Sequence, residues 1–85
     1  MPLQVRVVSA EREIWTGEAK MVSARTSEGE VGLMANHTPL LALLEEGRVR
    51  IAQEDGTQIQ IQADEGFLSL DRDNVQIVAR NADRI

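Results

Sequence analysis

The sequence contains no cysteine, two aromatic residues and few basic side chains, and each shortage excludes a class of protein. Without cysteine the chain has no disulfide, no thiolate nucleophile and no thiolate metal ligand. Trp15 and Phe67 are too few to form a platform on which nucleic-acid bases stack. Fourteen acidic residues outnumber nine basic ones, for a net charge of −5. The chain therefore lacks the basic face that nucleic-acid binding needs.

Long apolar runs are also missing. The longest, Leu40–Leu44, has five residues, whereas a helix needs roughly 20 to cross a bilayer. Residues 1–5 lack the basic and apolar regions of a signal peptide. We therefore expect a soluble cytoplasmic chain. A length of 85 residues predicts one domain, residues 1–85, built around a single small core.

What the sequence does contain is alternation of apolar and polar residues, the pattern of half-buried strands. Leu3, Val5 and Val7 predict one buried face, for example, and Ile59 and Ile61 predict another. The whole pattern predicts an all-β fold without helices, a flattened antiparallel sandwich or barrel of roughly eight to ten short strands. No segment could form a helical crossover, so we expect no parallel strand pairing.

Turn residues separate the predicted strands. The pair Asp55-Gly56 predicts a two-residue hairpin loop, whose backbone requires positive φ. Gly17 is expected to end a short strand at residues 14–16, and residues 26–30 are predicted to turn. Residues 80–85 show no periodicity and predict a frayed end.

Catalytic chemistry has little basis in the sequence. His37 is the single histidine, it stands near Pro39, and no Gly-x-Ser-x-Gly motif accompanies it, so we interpret it as a structural loop residue. One imidazole without thiolates is too few for a zinc site, and the acidic turns lack the spacing of a calcium loop. Gly29 and Gly32 lack the lysine of a phosphate-binding loop. We expect no catalytic residue, no metal and no cofactor.

Three features favour binding to another protein. The segment Leu40–Leu44 could face a partner on one side, and Trp15 could anchor an interface. The acidic turn Glu28-Gly29-Glu30 could meet a basic or polar surface. Each feature also suits an ordinary role as core strand, core tryptophan or solvated turn. The residues alone thus indicate a small, rigid β domain that binds other proteins.

A series of motifs points to a known family. Its members in chain order are Val7-Val8-Ser9-Ala10-Glu11, Ile14-Trp15-Thr16-Gly17, Ser27-Glu28-Gly29-Glu30-Val31-Gly32-Leu33, His37-Thr38-Pro39-Leu40-Leu41, Gly66-Phe67-Leu68 and Val75-Gln76-Ile77-Val78-Ala79. The most specific part is Gly-Glu-x-Gly-x-x-x-x-His-x-Pro-Leu, which begins at Gly29. Over nearly the whole chain, the series resembles the epsilon subunit of F-type ATP synthases. Ala35 departs from the proline that this family usually carries there.

The resemblance implies the N-terminal β-sandwich of a non-catalytic subunit in the central stalk, or rotor. Such a subunit joins the gamma subunit to the c-ring, contacts other catalytic-sector subunits and helps to couple proton flow to ATP synthesis. It meets the membrane only through the c-ring, peripherally at the cytoplasmic face of the bacterial cell membrane, or at the stromal face of the thylakoid in plastids. The family commonly continues into a C-terminal helical pair that brakes ATP hydrolysis. The 85 residues stop before that pair, so we expect no inhibition of this type.

The resemblance also implies two sets of site residues. The gamma-facing set is Ser9, His37, Leu40, Leu41 and Ala42, and the tip that faces the c-ring loops is Glu28, Gly29 and Glu30. Two alternatives stay open from the residues. One is a free-standing adaptor that adds a peptide to an exposed edge strand. The other is a small hydrolase built around the single histidine, which has the weaker basis.

Overall fold

The computed structural model describes residues 2–85, and Met1 lies outside the described residues. Residues 2–85 form ten strands and no helix, so the prediction of an all-β fold is confirmed. The strands are β1 (Leu3–Ser9), β2 (Glu13–Ala19), β3 (Met21–Thr26), β4 (Gly29–Met34), β5 (Leu40–Leu44), β6 (Gly47–Ala52), β7 (Gln58–Ala63), β8 (Gly66–Asp71), β9 (Asn74–Ala79) and β10 (Ala82–Arg84). Nothing in this part of the chain is a helix that could cross a membrane.

The strands form a nearly closed sandwich of two sheets. The first sheet has the order β2-β1-β9-β8-β5, and the second has the order β4-β3-β6-β7-β10. Strand β3 connects them, because its first half pairs with β6 and its last residue, Thr26, pairs with Leu44 of β5. On the opposite side, Arg12 forms a 3.0 Å ion pair with Asp83 of β10. The sheets therefore enclose one core between them.

Alternation within each strand builds that core. In β1, Leu3, Val5 and Val7 are buried, whereas Gln4 and Arg6 between them are exposed. The largest fully buried side chains come from both sheets and are Leu3, Leu33, Leu44, Ile51, Ile61, Leu68, Leu70, Ile77, Val7, Val22, Val49 and Val75. Aliphatic side chains thus supply nearly all of the buried volume.

The expectation of no parallel pairing is wrong at one place. Strand β1 lies parallel to β9, with Gln4 opposite Asn74 and Ser9 opposite Ala79. Parallel neighbours need a long connection, which is usually a helix. Here the connection is the rest of the sandwich itself, since every other strand but β10 lies between β1 and β9 in the chain.

The predicted two-residue loop at Asp55-Gly56 is also wrong in length. The Gln53 N–H donates to the Thr57 carbonyl at 2.8 Å, and the Gly56 N–H donates to the Gln53 carbonyl at 3.0 Å. Three residues therefore lie between the last paired positions. Gly56 has φ of 91°, so the glycine has the positive φ that the sequence predicted, within a longer type of hairpin loop.

Two further boundaries differ from expectation. Gly17 does not end a strand but lies inside β2, opposite Val5. A Cβ at this position would lie 2.9 Å from two ring carbons of Trp15, so glycine leaves room for the indole. Residues 80–85 are not frayed throughout, because β10 pairs with β7 and its Ala82 is buried. Three residues are too few to show a period, which is why the sequence pattern missed this strand.

Candidate interaction surface

One outward face of the sandwich carries an apolar row. Leu43 pairs with Phe67, Phe67 with Val78, and Val78 with Val8, so the row crosses β5, β8, β9 and β1. Residues directly opposite each other in a sheet point to the same side. Leu43, Phe67 and Val78 are 56%, 54% and 41% exposed, and Leu41, two residues along β5, is 74% exposed. We call Val8, Leu41, Leu43, Phe67 and Val78 the apolar patch.

Polar groups border the apolar patch. Beside β1, Arg6 forms a 2.9 Å ion pair with Glu13. Beyond Phe67 and Val78, Arg80 approaches Glu65 at 4.0 Å. An apolar centre with a polar, charged border is the usual composition of a surface that binds another protein.

Buried residues of the same strands hold the backbone of the apolar patch in place. The neighbouring row of paired residues consists of Ala42, Leu68, Ile77 and Val7, and all but Ala42 are fully buried. Each exposed patch residue on β8 and β9 therefore adjoins a core residue in its own strand. A partner would meet side chains whose backbone is already fixed, which lowers the entropic cost of association.

The predicted gamma-facing residues do not form one cluster. Leu41 belongs to the apolar patch, whereas Leu40 and Ala42 alternate with it and are half-buried on the core side of β5. Ser9 lies in the paired row that begins at Leu44. His37 precedes the other end of β5. Leu40 and Leu44 are four residue steps apart, about 13 Å along a strand, so Ser9 and His37 lie at opposite ends of the sheet.

Ser9 closes the turn between β1 and β2. Its hydroxyl accepts hydrogen bonds from the N–H groups of Glu11 and Arg12 and donates to the Arg12 carbonyl, each at 3.3 Å. Its own N–H donates to the same carbonyl at 2.8 Å. Ser9 therefore fixes the end of the sheet at which it lies.

His37 lies in an irregular loop that is attached to the turn between β8 and β9. The Asn36 N–H donates to the Asp73 carboxylate at 2.8 Å, and Asn36 has φ of 69°. The His37 Nδ1 lies 2.6 Å from the Thr38 carbonyl, a distance that indicates an Nδ1–H donor. No carboxylate or hydroxyl side chain of residues 2–85 pairs with this imidazole. The arrangement offers no nucleophile and base in contact, and the hydrolase alternative gains no support from it.

The predicted acidic tip lies at the end of the β3–β4 hairpin: Glu28 is in the two-residue turn, and Gly29 and Glu30 are the first residues of β4. The turn is therefore shorter than the predicted turn over residues 26–30, because Thr26 and Gly29 already pair with each other. The Thr26 hydroxyl, buried at its base, donates to the Gly29 carbonyl at 2.8 Å and accepts from the Glu28 N–H at 3.2 Å. Gly29 has φ of 111°, which favours glycine. The Ser27 N–H donates to the Leu43 carbonyl at 3.0 Å, which attaches the tip to the strand that carries the apolar patch. Glu28, Gly29 and Glu30 are all exposed.

The predicted gamma-facing set omitted four patch residues, Val8, Leu43, Phe67 and Val78, although Leu43 lies in the segment Leu40–Leu44 that was expected to face a partner. The sequence could have indicated that Phe67 is exposed, because Leu68 and Leu70 define the buried side of β8 and place Phe67 on the other side. The row itself could not be read from the sequence, since it depends on which strands pair and in what register.

Metal and ligand chemistry have little geometric basis across residues 2–85. No three His, Asp or Glu side chains of this range converge as a metal would require. A groove of about 600 Å³ is open to solvent and is lined by Glu45, Glu46 and Glu65 together with Arg25. It adjoins Leu43 at the edge of the apolar patch.

Comparison with known proteins identifies the family. The sequence profile described as "ATP synthase, Delta/Epsilon chain, beta-sandwich domain" matches residues 2–85. The ATP synthase epsilon chain of Micrococcus luteus is 49% identical over 80 residues, covering 94% of this chain and 88% of that one. The ATP synthase epsilon chain of Frankia casuarinae is 42% identical over 82 residues, covering 96% of each chain.

A solved structure shows the same fold. It is a chain in the cryo-EM structure of the Euglena gracilis mitochondrial ATP synthase, OSCP/F1/c-ring, in rotational state 1. The superposition has a TM-score of 0.91 at 22% identity, and it covers 98% of this chain and 53% of that one. The chain belongs to the ATP synthase delta/epsilon family, and residues 2–85 are the β-sandwich domain of a non-catalytic, rotor-associated subunit in the membrane-associated F1 sector.

Proposed function

We propose that this domain joins the gamma subunit to the c-ring in the central stalk and so helps to couple proton flow to ATP synthesis. The observation that carries the proposal is the apolar patch, which lies on one outward face and has a polar border. Membership in the delta/epsilon family supports a binding role rather than a catalytic one. The free-standing adaptor is not retained as a function, because the family is that of an ATP synthase subunit.

The proposed gamma-facing surface is the apolar patch together with Ser9 and His37. Leu40 and Ala42, which belong to the same predicted set, lie on the core side of β5 and would contact gamma only where the core is incompletely covered. Apolar burial contributes about 25 cal/mol for each Å² removed from water, and Phe67 and Leu41 have the largest aromatic and aliphatic areas to bury. Aromatic anchors at the centre of an interface commonly carry most of its binding free energy. Ser9 and His37, at the two ends of the sheet, would contribute at the border.

The proposed c-ring-facing surface is the tip Glu28-Gly29-Glu30. Its hydrogen bonds to Thr26 hold the turn in one conformation, and its two carboxylates would attract basic or polar loops. Exposed ion pairs contribute only about 0–1 kcal/mol each, so the tip would orient the domain on the ring more than it would bind it tightly.

A stiff domain suits a position between the gamma subunit and the c-ring. The ten strands are joined by backbone ladders across both sheets, and the Arg12–Asp83 ion pair connects the β1–β2 turn to β10. Contacts with other catalytic-sector subunits belong to the same proposal. No inhibitory activity is assigned to residues 2–85, since they contain no helical pair.

The proposed location is peripheral, at the cytoplasmic face of the bacterial cell membrane. The relatives from Micrococcus luteus and Frankia casuarinae support this location over the stromal face of a thylakoid. The domain would meet the membrane only through the c-ring. We also propose that residues 1–85 act as a single domain, because the core is continuous across both sheets of the described part.

Binding to purified gamma subunit tests the proposal. Phe67→Asp should weaken the affinity at least 100-fold, about 2.7 kcal/mol, because a carboxylate would be buried without a partner. Gln60→Asp, on the outward face of the second sheet, is the matched control and should change the affinity less than twofold. Both variants should retain the circular dichroism spectrum of the parent chain. Wild-type affinity in a folded Phe67→Asp variant would overturn the assignment of the surface.

A further inference from the structure

Edge strands differ in how well they are protected against pairing with another chain. At one side of the sandwich, β2 carries exposed Glu13 and Glu18 and has an irregular register with β1 at Val7/Val8, and its neighbour β10 has only three residues. At the other side, β4 pairs with β3 alone along six residues. It contains one charged residue, Glu30, with no proline and no register shift. Strand β4 is therefore a long edge that lacks these protecting features.

The core is also incompletely covered beside this edge. Val31 of β4 pairs with buried Ala24, and Leu40 of β5 pairs with buried Leu70, so both residues face the core. Both are nevertheless only half-buried. Ala42 of β5 is half-buried in the same way. An additional strand beside β4 would extend the second sheet and place alternate side chains towards these residues.

We infer that β4 accepts an extended segment of a partner polypeptide as an additional strand of the second sheet. The segment carries apolar side chains at alternate positions, which cover Val31 and the half-buried positions of β5. The partner is the polypeptide that docks on the apolar patch, so this inference rests on the proposed function.

Two features favour such a partner over a second copy of the chain. The tip of the β3–β4 hairpin is bonded to Leu43 of the apolar patch, so a single partner can reach both surfaces. A second copy would bring together two chains with a net charge of −5 each and would offer mainly acidic side chains to the tip.

Amide hydrogen exchange, with purified gamma subunit as the probe, tests the inference. In the free chain, every second amide of β4 should exchange rapidly, because alternate N–H groups of an edge strand have no partner. In the complex, these amides should exchange at least tenfold more slowly, whereas the edge amides of β2 should keep their free rates. Complex formation that leaves the β4 amides rapid would overturn the inference.

A matched pair of variants gives a second readout. Val31→Asp places a carboxylate in the path of the added strand and should weaken binding to gamma at least tenfold. Ile14→Asp changes a residue that is likewise half-buried against the core, on the opposite side of the sandwich, and should leave the affinity within twofold. Equal losses in the two variants, each verified as folded, would overturn the inference, as would protection of β4 that depends on chain concentration without gamma. Absence of any complex with the parent chain would instead refute the proposed function itself.

Discussion

The two outward faces of the sandwich are both formed by five strands, but they carry different side chains. On the first sheet, the outward positions at the centre hold the apolar patch. On the second sheet, the corresponding positions of β6 and β7 are polar, and they are Arg48, Arg50, Gln58, Gln60 and Gln62. Arg48 donates to the Gln60 side-chain carbonyl at 3.2 Å, so these groups also interact with one another.

Because the outward side of β6 and β7 is polar, an outward apolar patch is not needed for a sheet of this kind to fold. Strands β6 and β7 of the second sheet bury their inward rows as well as β8 and β9 do, and their outward side chains are mainly polar; Met21 and Met34 are the exposed apolar residues of the neighbouring β3 and β4. An exposed phenylalanine and exposed leucines favour aggregation unless they are covered. Their concentration on one face is therefore best explained by a partner, and substitutions on each side of one strand can separate folding from binding.

The largest expected effect is on stability, at the residue next to Phe67. Leu68→Ala should lower the free energy of unfolding by about 2–5 kcal/mol, because it removes a fully buried side chain and leaves a cavity. Phe67→Ala, one position away on the exposed side, should lower it by less than about 1 kcal/mol but weaken binding to gamma. Urea titration and a gamma-binding assay on both variants measure the two effects. Similar stability losses in the two variants would contradict the assignment of Leu68 to folding and of Phe67 to binding.

Period-two alternation predicted the strands because burial on one side is a local property of each segment. It assigned Leu3, Val5 and Val7 correctly, and it predicted that the chain forms no helix. It could not predict the parallel pairing of β1 with β9, since that neighbour lies far along the chain. It also missed β10, because small Ala82 and two charged residues give no apolar signal.

The candidate surface was predicted only in part, for a related reason. Leu41 was predicted from a continuous apolar segment, and the tip residues from turn chemistry and family resemblance. Phe67 and Val78 became neighbours of Leu43 only through the register of three pairings. The role of the gamma-facing and c-ring-facing residues stays a prediction, for which the variants described here supply the test.

A smaller effect is expected at the acidic tip. Glu30→Lys should weaken attachment of the catalytic sector to the membrane sector severalfold, because it reverses a charge that would face the c-ring loops. It also replaces a carboxylate that lies 4.0 Å from Arg50, so a mild local repulsion is added. Release of the catalytic sector from membranes with rising salt, together with proton-driven ATP synthesis, measures the effect. Glu54→Lys, in the distant β6–β7 loop, is the control, and unchanged ATP synthesis in Glu30→Lys would contradict the assignment of the tip.

His37→Ala should have a still smaller effect, on binding to gamma alone. Removal of the imidazole loses the bond between Nδ1 and the Thr38 carbonyl, and a net hydrogen bond contributes about 0.5–1.5 kcal/mol. The affinity should fall by about two- to tenfold. His37→Asn places an amide N–H near the position of Nδ1 and should recover most of the loss if ordering of the loop is what matters. Equal affinity of the alanine variant and the parent would remove His37 from the surface.

The smallest effect is expected in the polar second sheet, at Asp55 in the β6–β7 loop. The Thr57 N–H, 2.9 Å from the Asp55 carboxylate, lowers the pKa of this group below its ordinary value of 3.8, and the Thr57 hydroxyl acts in the same direction. The pKa is lower in the folded chain than in the unfolded chain, so ionised Asp55 stabilises the fold above pH 3.8. This contribution is lost as the pH falls through the lowered pKa. Asp55→Ala should thus have a slightly lower melting temperature than the parent near neutral pH, and the difference should shrink in acid. A difference that is constant with pH would show that the loop depends on the geometry of the side chain and not on its charge.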